Sequence, residues 1–82
     1  MRLVTLYGKP GCHLCDDARE VVERVRAEHP FELREVDVSL DPVVHREYGE
    51  RIPVLELDGE ELFDFHVDEA ELARRVGRVD GS

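Results

Sequence analysis

A strand, a short break and a long amphipathic helix follow one another at the start of the chain, and this pattern limits the fold most strongly. Residues 2–7 are rich in β-branched and aromatic side chains, as strands are. Gly-Lys-Pro-Gly at 8–11 interrupts that segment. A helix is then predicted from about Cys12 to Glu28, because apolar residues recur there at helical spacing: Leu14, Ala18, Val21, Val22 and Val25. A strand followed by such a helix favours a right-handed βαβ unit with two parallel strands.

Three more strands are predicted after this helix. Their ranges, which contain β-branched, aromatic and other apolar residues, are 31–38, 52–57 and 60–65. Asp58-Gly59, between the last two, is a dipeptide typical of a two-residue hairpin turn. We therefore expect the last two strands to be antiparallel neighbours, in contrast to the parallel pair at the start of the chain.

Two further helices have recognisable start signals. Asp41 is the predicted N-cap of a short helix with Pro42 at its first position, and Gly49 ends it. Asp68 and Glu71 fit a capping box at the start of the last helix. The predicted buried stripe of that helix is Leu72, Ala73, Val76 and Val79. The fold class is thus α/β, in the order β-α-β-α-β-β-α, with a four-stranded mixed sheet and helices on both faces.

Length and charge restrict the possible partners. The sequence has 82 residues, enough for one small domain, which we expect over 1–79 with a loose tail at 80–82. The net charge of −9 disfavours nucleic acid and anionic membranes, because both attract clustered Lys and Arg. No segment approaches the ~18 apolar residues of a membrane span, and the apolar run at the N-terminus is too short for a signal peptide. We therefore expect a cytoplasmic monomer.

Cys12 and Cys15 are the only cysteines in the sequence. A bridge between them closes a very small loop, so it would contribute little to stability. A Cys-x-x-Cys pair between a strand and a helix is typical of redox sites, because helix N-termini stabilise the nucleophilic thiolate. Cys12 is predicted to attack, and Cys15, facing inward, to resolve the mixed disulfide. Half of a zinc site and a pair of inert thiols are the alternatives, although the histidines have no paired spacing that would complete a zinc site.

The charged residues near the cysteines are candidates for binding a substrate. Lys9, the only lysine, precedes Cys12 by three residues, where it would stabilise a thiolate or bind a carboxylate. An ordinary surface lysine is the alternative, and the position beside the thiol favours the functional role. His13 would add positive charge when protonated, or could simply be an exposed side chain. Asp16 and Asp17 oppose an anion on Cys12, so we expect a thiolate of moderate stability.

Pro53 opens the third predicted strand, where proline is unusual away from sheet edges. A cis Ile52–Pro53 bond would expose the backbone groups of Ile52 to an extended substrate. A trans proline in a loop fits the sequence equally well. Arg51, just before this pair, could bind a substrate carboxylate.

Residues 6–15, Leu-Tyr-Gly-Lys-Pro-Gly-Cys-His-Leu-Cys, the element order and Ile-Pro-Val at 52–54 together resemble glutaredoxin. The resemblance spans nearly the whole chain and implies a thioredoxin-like fold. It implies that Cys12 attacks, that Cys15 resolves, that Lys9 helps to hold glutathione and that Pro53 is cis. The implied activity is thiol–disulfide exchange on protein disulfides or glutathione mixed disulfides. The resemblance does not decide the electron donor, which we expect to be glutathione or a reductase, and we expect no metal and no tightly bound cofactor.

Two departures from glutaredoxins bear on the substrate. His13-Leu14 stands where they usually carry Pro-Tyr, which is similar to a less characterised glutaredoxin-like branch with Cys-x-Leu-Cys. Their Gly-Gly-x-Asp motif, which grips glutathione, is replaced by Phe-Asp-Phe-His-Val-Asp at 63–68, where only Asp68 is retained as a candidate. Without the glycines we expect poor backbone approach to glutathione. The competing function is a non-catalytic binding module or a cysteine-ligated metal or iron–sulfur carrier, and the intact cysteine pair favours the enzyme.

Overall fold

Four strands form one mixed sheet in the computed structural model, which describes residues 2–77. The strands are β1 (Leu3–Gly8), β2 (Glu32–Asp37), β3 (Val54–Leu57) and β4 (Glu60–Asp64), and the α-helices are α1 (His13–Glu28), α2 (Pro42–Tyr48) and α3 (Glu69–Val76). The sheet order is β2-β1-β3-β4, with β1 parallel to β2 and antiparallel to β3, and β3 antiparallel to β4. The predicted fold class and element order are confirmed. Val79 and the predicted tail at 80–82 lie outside the described residues.

The main core lies between one face of the sheet and the helices α1 and α3. Because side chains alternate along a strand, Val4 and Leu6 of β1 and Leu55 of β3 point to this face. They pack against the buried helix residues Ala18, Val22, Val25 and Leu72. Each fully buried aliphatic side chain of this size contributes about 1.5–3 kcal/mol. This core therefore fixes α1, and with it the N-terminal end of that helix, against the sheet.

A second, smaller cluster contains the second cysteine. Its buried members are Cys15, Val38 and Ile52, and the side chains packed against them are Tyr7, Cys12, Val44 and Tyr48. Tyr7 follows Leu6 in β1, so it points to the opposite face of the sheet, where it meets α2. Helices thus cover both faces of the sheet, as predicted. In the part of the chain that the structure describes, no helix is long and apolar enough to cross a bilayer.

One residue of the predicted helical stripe lies outside the core. Leu14 is 52% exposed, whereas its neighbour Cys15 is 2% exposed. The buried stripe runs back from Val22 through Ala18 to Cys15 at helical spacing, and a free cysteine behaves as a small apolar side chain there. The prediction that Leu14 belongs to the core is wrong, and the prediction that Cys15 faces inward is confirmed.

The turn between β3 and β4 was predicted correctly. Asp58 and Gly59 have φ angles of 52° and 87°, the left-handed values that a type I′ turn requires at both central positions. The Asp58 carboxylate also accepts a hydrogen bond from the Leu3 N–H at 2.9 Å, which ties the turn to the start of β1. β4 ends at Asp64, one residue earlier than predicted, because Phe65 leaves the extended conformation with a φ of 64°.

Two aspartates cap helices as predicted. Asp41 accepts a hydrogen bond from the Val43 N–H at 2.8 Å, and Asp68 accepts one from the Glu71 N–H at 3.0 Å. The Glu71 carboxylate binds Arg74 at 2.6 Å, so the reciprocal half of the predicted capping box is not among the hydrogen bonds of residues 2–77. These caps stabilise the helix starts on either side of the β3–β4 hairpin.

Candidate active site

Cys12 lies at the N-terminal end of α1 as its N-cap. Its Sγ accepts a hydrogen bond from the Cys15 N–H at 3.3 Å, and its carbonyl accepts one from the Asp16 N–H at 3.0 Å. Gly11, just before it, has a φ of 78°, a conformation that glycine adopts without a steric penalty. The half-buried sulfur therefore lies where the helix dipole and unpaired N–H groups favour a negative charge.

Cys15 occupies a very different environment from Cys12. Both cysteines are free thiols, but Cys15 is buried. Burial, together with its hydrogen bond to Cys12, raises the pKa of Cys15 to about 11. The site thus combines one accessible sulfur at a helix N-terminus with one enclosed thiol that stays protonated at neutral pH.

Gly8 leaves the space that Cys15 occupies. A Cβ atom at position 8 would lie 3.0 Å from the Cys15 Sγ and 3.2 Å from its Cβ, closer than ordinary van der Waals contact. The predicted chain break at Gly8 is therefore the last residue of β1, packed directly against the second cysteine. This contact holds the start of α1 close to the end of the strand.

The segment before β3 lies beside the two cysteines. The Ile52–Pro53 peptide bond is cis, as expected, and Pro53 is fully buried. The side chain of Ile52 belongs to the same buried cluster as Cys15. The Phe65 N–H donates to the Pro53 carbonyl at 2.9 Å, whereas the backbone N–H and carbonyl of Ile52 make no hydrogen bond within residues 2–77. An extended substrate chain could pair with these two groups.

A groove of about 290 Å³ lies between the β1–α1 loop, α1 and the end of β2. Cys15, Lys9 and Arg19 are among its lining residues. Arg19 is engaged with its own neighbours, since it lies 2.6 Å from Glu35 and 3.6 Å from Asp16. Lys9 is exposed and forms no ion pair with any residue in the range 2–77, so its ammonium group is available to a ligand.

Three other predicted binding residues, Arg51, His13 and Asp68, do not line this groove. Arg51 contacts carboxylates of its own chain, with Nη1 2.7 Å from Glu61 and 3.7 Å from Asp64, so it could bind a ligand only by giving up these pairs. His13 is exposed in the first turn of α1. Asp68 is exposed and caps α3, where its carboxylate is already a hydrogen-bond acceptor.

A pair of stacked tyrosines beside the cysteines was missed by the sequence reasoning. The rings of Tyr7 and Tyr48 are 4.1 Å apart and inclined by 15°. Their hydroxyls donate to the two oxygens of the Glu56 carboxylate, at 3.2 Å and 2.9 Å respectively. The bond to Glu56 raises the pKa of Tyr48, and burial raises the pKa of Tyr7, so both hydroxyls stay protonated as donors. This network joins Tyr48 of α2 to Tyr7 and Glu56 of the sheet, and both tyrosines pack in the same cluster as the cysteines.

We expect Cys15 to make the stability of the reduced protein dependent on alkaline pH. The pKa of Cys15 is about 11 in the folded protein, above its ordinary value of 9.0. The stability that the protonated thiol contributes to the fold is therefore fully present below pH 9 and is lost as the pH rises towards 11. The free energy of unfolding should therefore fall by about 2 kcal/mol between roughly pH 8 and pH 10.5 because of this thiol. Urea unfolding under reducing conditions, at both pH values, measures the change.

The Cys15→Ala variant is the control for this measurement. Tyr7 and Tyr48 also have raised pKa values and lose stability in the same direction, but the variant keeps both of them. The difference between the two proteins therefore isolates the thiol. The same dependence on pH in both proteins would contradict the prediction.

Comparison with known proteins places this arrangement in context. A family model described as Glutaredoxin-like domain (DUF836) matches residues 3–77, which include both cysteines and the cis proline. The uncharacterised protein Rv0508 of Mycobacterium tuberculosis is 31% identical over 80 residues, covering 92% of this chain and 82% of its own. The X-ray structure of protein XcR50 from X. campestris has a TM-score of 0.74 and 33% identity, covering 90% of this chain and 95% of its own. A mutant thioredoxin from Halobacterium salinarum, at 24% identity and a TM-score of 0.68 over 92% of this chain and 71% of its own, shares the fold.

Proposed function

The chain belongs to the glutaredoxin-like domain family, and we propose that it is a thiol–disulfide oxidoreductase that reduces protein disulfides or glutathione mixed disulfides. The observation that carries this proposal is the asymmetry of the two thiols. Cys12 is half-buried and accepts an N–H hydrogen bond at a helix N-terminus, while Cys15, three residues further along, is enclosed. Such a pair suits a nucleophile and a resolving thiol.

The proposed reaction proceeds in two exchanges. The Cys12 thiolate attacks one sulfur of the substrate disulfide, and the other sulfur leaves as a thiolate with the electron pair of the broken bond. Cys15 then loses its proton and attacks the Cys12 sulfur, which releases the second substrate sulfur as a thiolate. The substrate disulfide has become two thiols, and the dithiol has become the Cys12–Cys15 disulfide. Because Cys15 is buried, this second step requires a base, which the departing thiolate or water can supply.

Two features support the binding of an extended, cysteine-containing chain. The unpaired backbone groups of Ile52 can accept and donate hydrogen bonds beside Cys12, and Lys9 can pair with a carboxylate. We propose that electrons return from glutathione or from a reductase, that no cofactor is tightly bound, and that the protein works in the reducing cytoplasm. A metal ion on Cys12 and Cys15 would need ligands from elsewhere, because residues 2–77 contain no group of three His, Cys, Asp or Glu side chains placed to hold one.

The direct test offers two reductants to the oxidised protein side by side. One is reduced glutathione, and the other is a thioredoxin-reductase system with its nicotinamide donor. We expect one of them to regenerate both thiols, counted by alkylation and intact mass, and the reduced protein to cleave a small disulfide in turn. If neither reductant opens the Cys12–Cys15 disulfide and the reduced protein leaves small and protein disulfides intact, the proposal is wrong.

A further inference from the structure

We propose that this site selects protein disulfides whose reactive cysteine is followed or preceded by a bulky apolar residue and a basic residue. This inference rests on the proposed function and specifies its substrate. It comes from a mostly apolar notch of about 50 Å³ between the start of α1 and the β4–α3 loop. Its lining residues are Leu14, Asp17, Ala18 and Val21 of α1 and Phe65, His66 and Val67 of the β4–α3 loop.

The walls of the notch are exposed apolar side chains. Leu14 and Phe65 are 52% and 50% exposed, so neither is buried by its own fold. Leu14 lies between the two cysteines in sequence, and the Phe65 N–H holds the carbonyl of Pro53. Both walls of the notch are therefore tied through the backbone to the candidate site, Leu14 to the cysteine pair and Phe65 to the segment of the cis proline. Its volume suits a single side chain rather than a whole small ligand.

The backbone of Phe65 is in a conformation that a bulky residue rarely adopts. Its φ of 64° is in the left-handed region, inside a tight turn closed by the His66 N–H and the Asp64 carbonyl at 2.6 Å. Such a conformation costs a non-glycine residue free energy, and a half-exposed ring gains little from packing to offset that cost. Glycine or asparagine would fit here more easily. The aromatic ring is thus not explained by the stability of this loop, whereas an apolar contact with a partner would explain it.

The charges around the notch favour a basic neighbour on the substrate. The carboxylate of Asp17 has no ion-pair partner in the described range 2–77. Asp64, next to Phe65, shares the cation of Arg51 with Glu61 and is only partly neutralised. The whole chain carries a net charge of −9. A lysine or arginine beside the apolar residue would therefore be attracted, and a glutamate would be repelled.

The test uses short peptides with one cysteine that carries thionitrobenzoate as a mixed disulfide. Attack by Cys12 on the peptide sulfur releases coloured thionitrobenzoate, so the second-order rate constant can be read directly. One peptide has Leu-Lys next to the cysteine, its partner has Ser-Lys, a third peptide has Leu-Glu, and Ellman's reagent serves as a disulfide without a peptide. We expect the Leu-Lys peptide to react about tenfold faster than the Ser-Lys peptide with the unaltered protein, a ratio that one partly buried side chain can produce. The Leu-Glu peptide should also react more slowly than the Leu-Lys peptide, because the acidic side chains repel it.

Substitutions then assign this preference to the notch. Leu14→Ser and Phe65→Asn should each bring the ratio of the Leu-Lys peptide to the Ser-Lys peptide close to one, and asparagine tolerates the left-handed backbone at position 65. Leu40→Ser is the matched control, because Leu40 is 81% exposed and does not line the notch. It should leave the ratio unchanged.

The outcomes separate this inference from the proposed function. A ratio near one in the unaltered protein, or a ratio that neither substitution lowers, overturns the proposed role of the notch in selecting substrates. Reduction of Ellman's reagent would in that case still support the oxidoreductase. If neither the peptides nor Ellman's reagent react, the oxidoreductase itself is wrong. The comparison of peptides with the unaltered protein does not depend on any variant folding correctly.

Discussion

Cys12→Ser is expected to abolish disulfide reduction, by at least about a thousandfold, because a serine hydroxyl cannot replace the thiolate as nucleophile at neutral pH. Cys15→Ser should keep the first attack and lose the second. It should therefore accumulate a stable mixed disulfide between Cys12 and the substrate, since no second sulfur can release it. Each variant replaces one sulfur atom by an oxygen atom. The two positions differ in exposure and in hydrogen bonding, so a difference between the variants reports on the role of each position.

Intact mass measured after exposure to a small disulfide distinguishes these results. The unaltered protein should lose two hydrogens on forming its internal disulfide, Cys15→Ser should gain one half of the reagent, and Cys12→Ser should remain unchanged. Circular dichroism of both variants checks that the fold is kept. An active Cys12→Ser protein together with an inert Cys15→Ser protein would reverse the assignment of nucleophile and resolving thiol.

Much of the fold could be predicted because its signals are local. Asp58-Gly59 specifies its turn through two residues that tolerate left-handed backbone, and Asp41 and Asp68 mark helix starts through bonds to N–H groups two or three residues away. The position of Leu14 could not be predicted in the same way. Going back along the helix from Ala18, helical spacing leads either to Leu14 or to Cys15, so the sequence allows two apolar stripes. The packing of Cys15 against Gly8 selects the stripe that contains Cys15.

The candidate site was predictable only in part for a related reason. The spacing of Cys12 and Cys15 and their place between a strand and a helix are visible in the sequence. The partners of Tyr7 are not, because Glu56 lies 49 positions away and reads as an outward-facing strand residue. The ion pair of Arg51 with Glu61 could not be predicted either, because it forms only when β3 and β4 have folded into a hairpin.

Phe63 and Phe65 show how one sequence segment can serve two roles. Both lie in the segment that replaces the Gly-Gly-x-Asp motif, where the loss of the glycines predicts poor backbone approach to glutathione. Phe63 instead packs against the main core, opposite Leu55 on the neighbouring strand, so it does not face a ligand. Only Phe65 projects from the loop, and alternation along a strand could not reveal this because the strand ends at Asp64.

Glutathione is expected to bind this protein weakly, with a Kd in the millimolar range or above, and to support slow turnover relative to an ordinary glutaredoxin. The tripeptide is anionic, so its site needs cations and close backbone donors. Lys9 supplies one free cation, but Arg51 is already paired with Glu61 at 2.7 Å and cannot compensate without breaking that pair. Phe65 stands in the loop that would have to approach the ligand, and Asp64 places a carboxylate beside it.

Calorimetric titration of Cys15→Ser with reduced glutathione measures this affinity without the second exchange. Lys9→Ala in the same background should weaken binding further, and Asp64→Asn with Phe65→Gly should strengthen it by about tenfold, because one repulsion and one bulky side chain are removed at once. Leu40→Ser, which changes an exposed residue outside both grooves, is the control. Tight binding by the Cys15→Ser protein would contradict the prediction, because one free lysine and the unpaired groups of Ile52 would then suffice to hold the tripeptide without the two glycines.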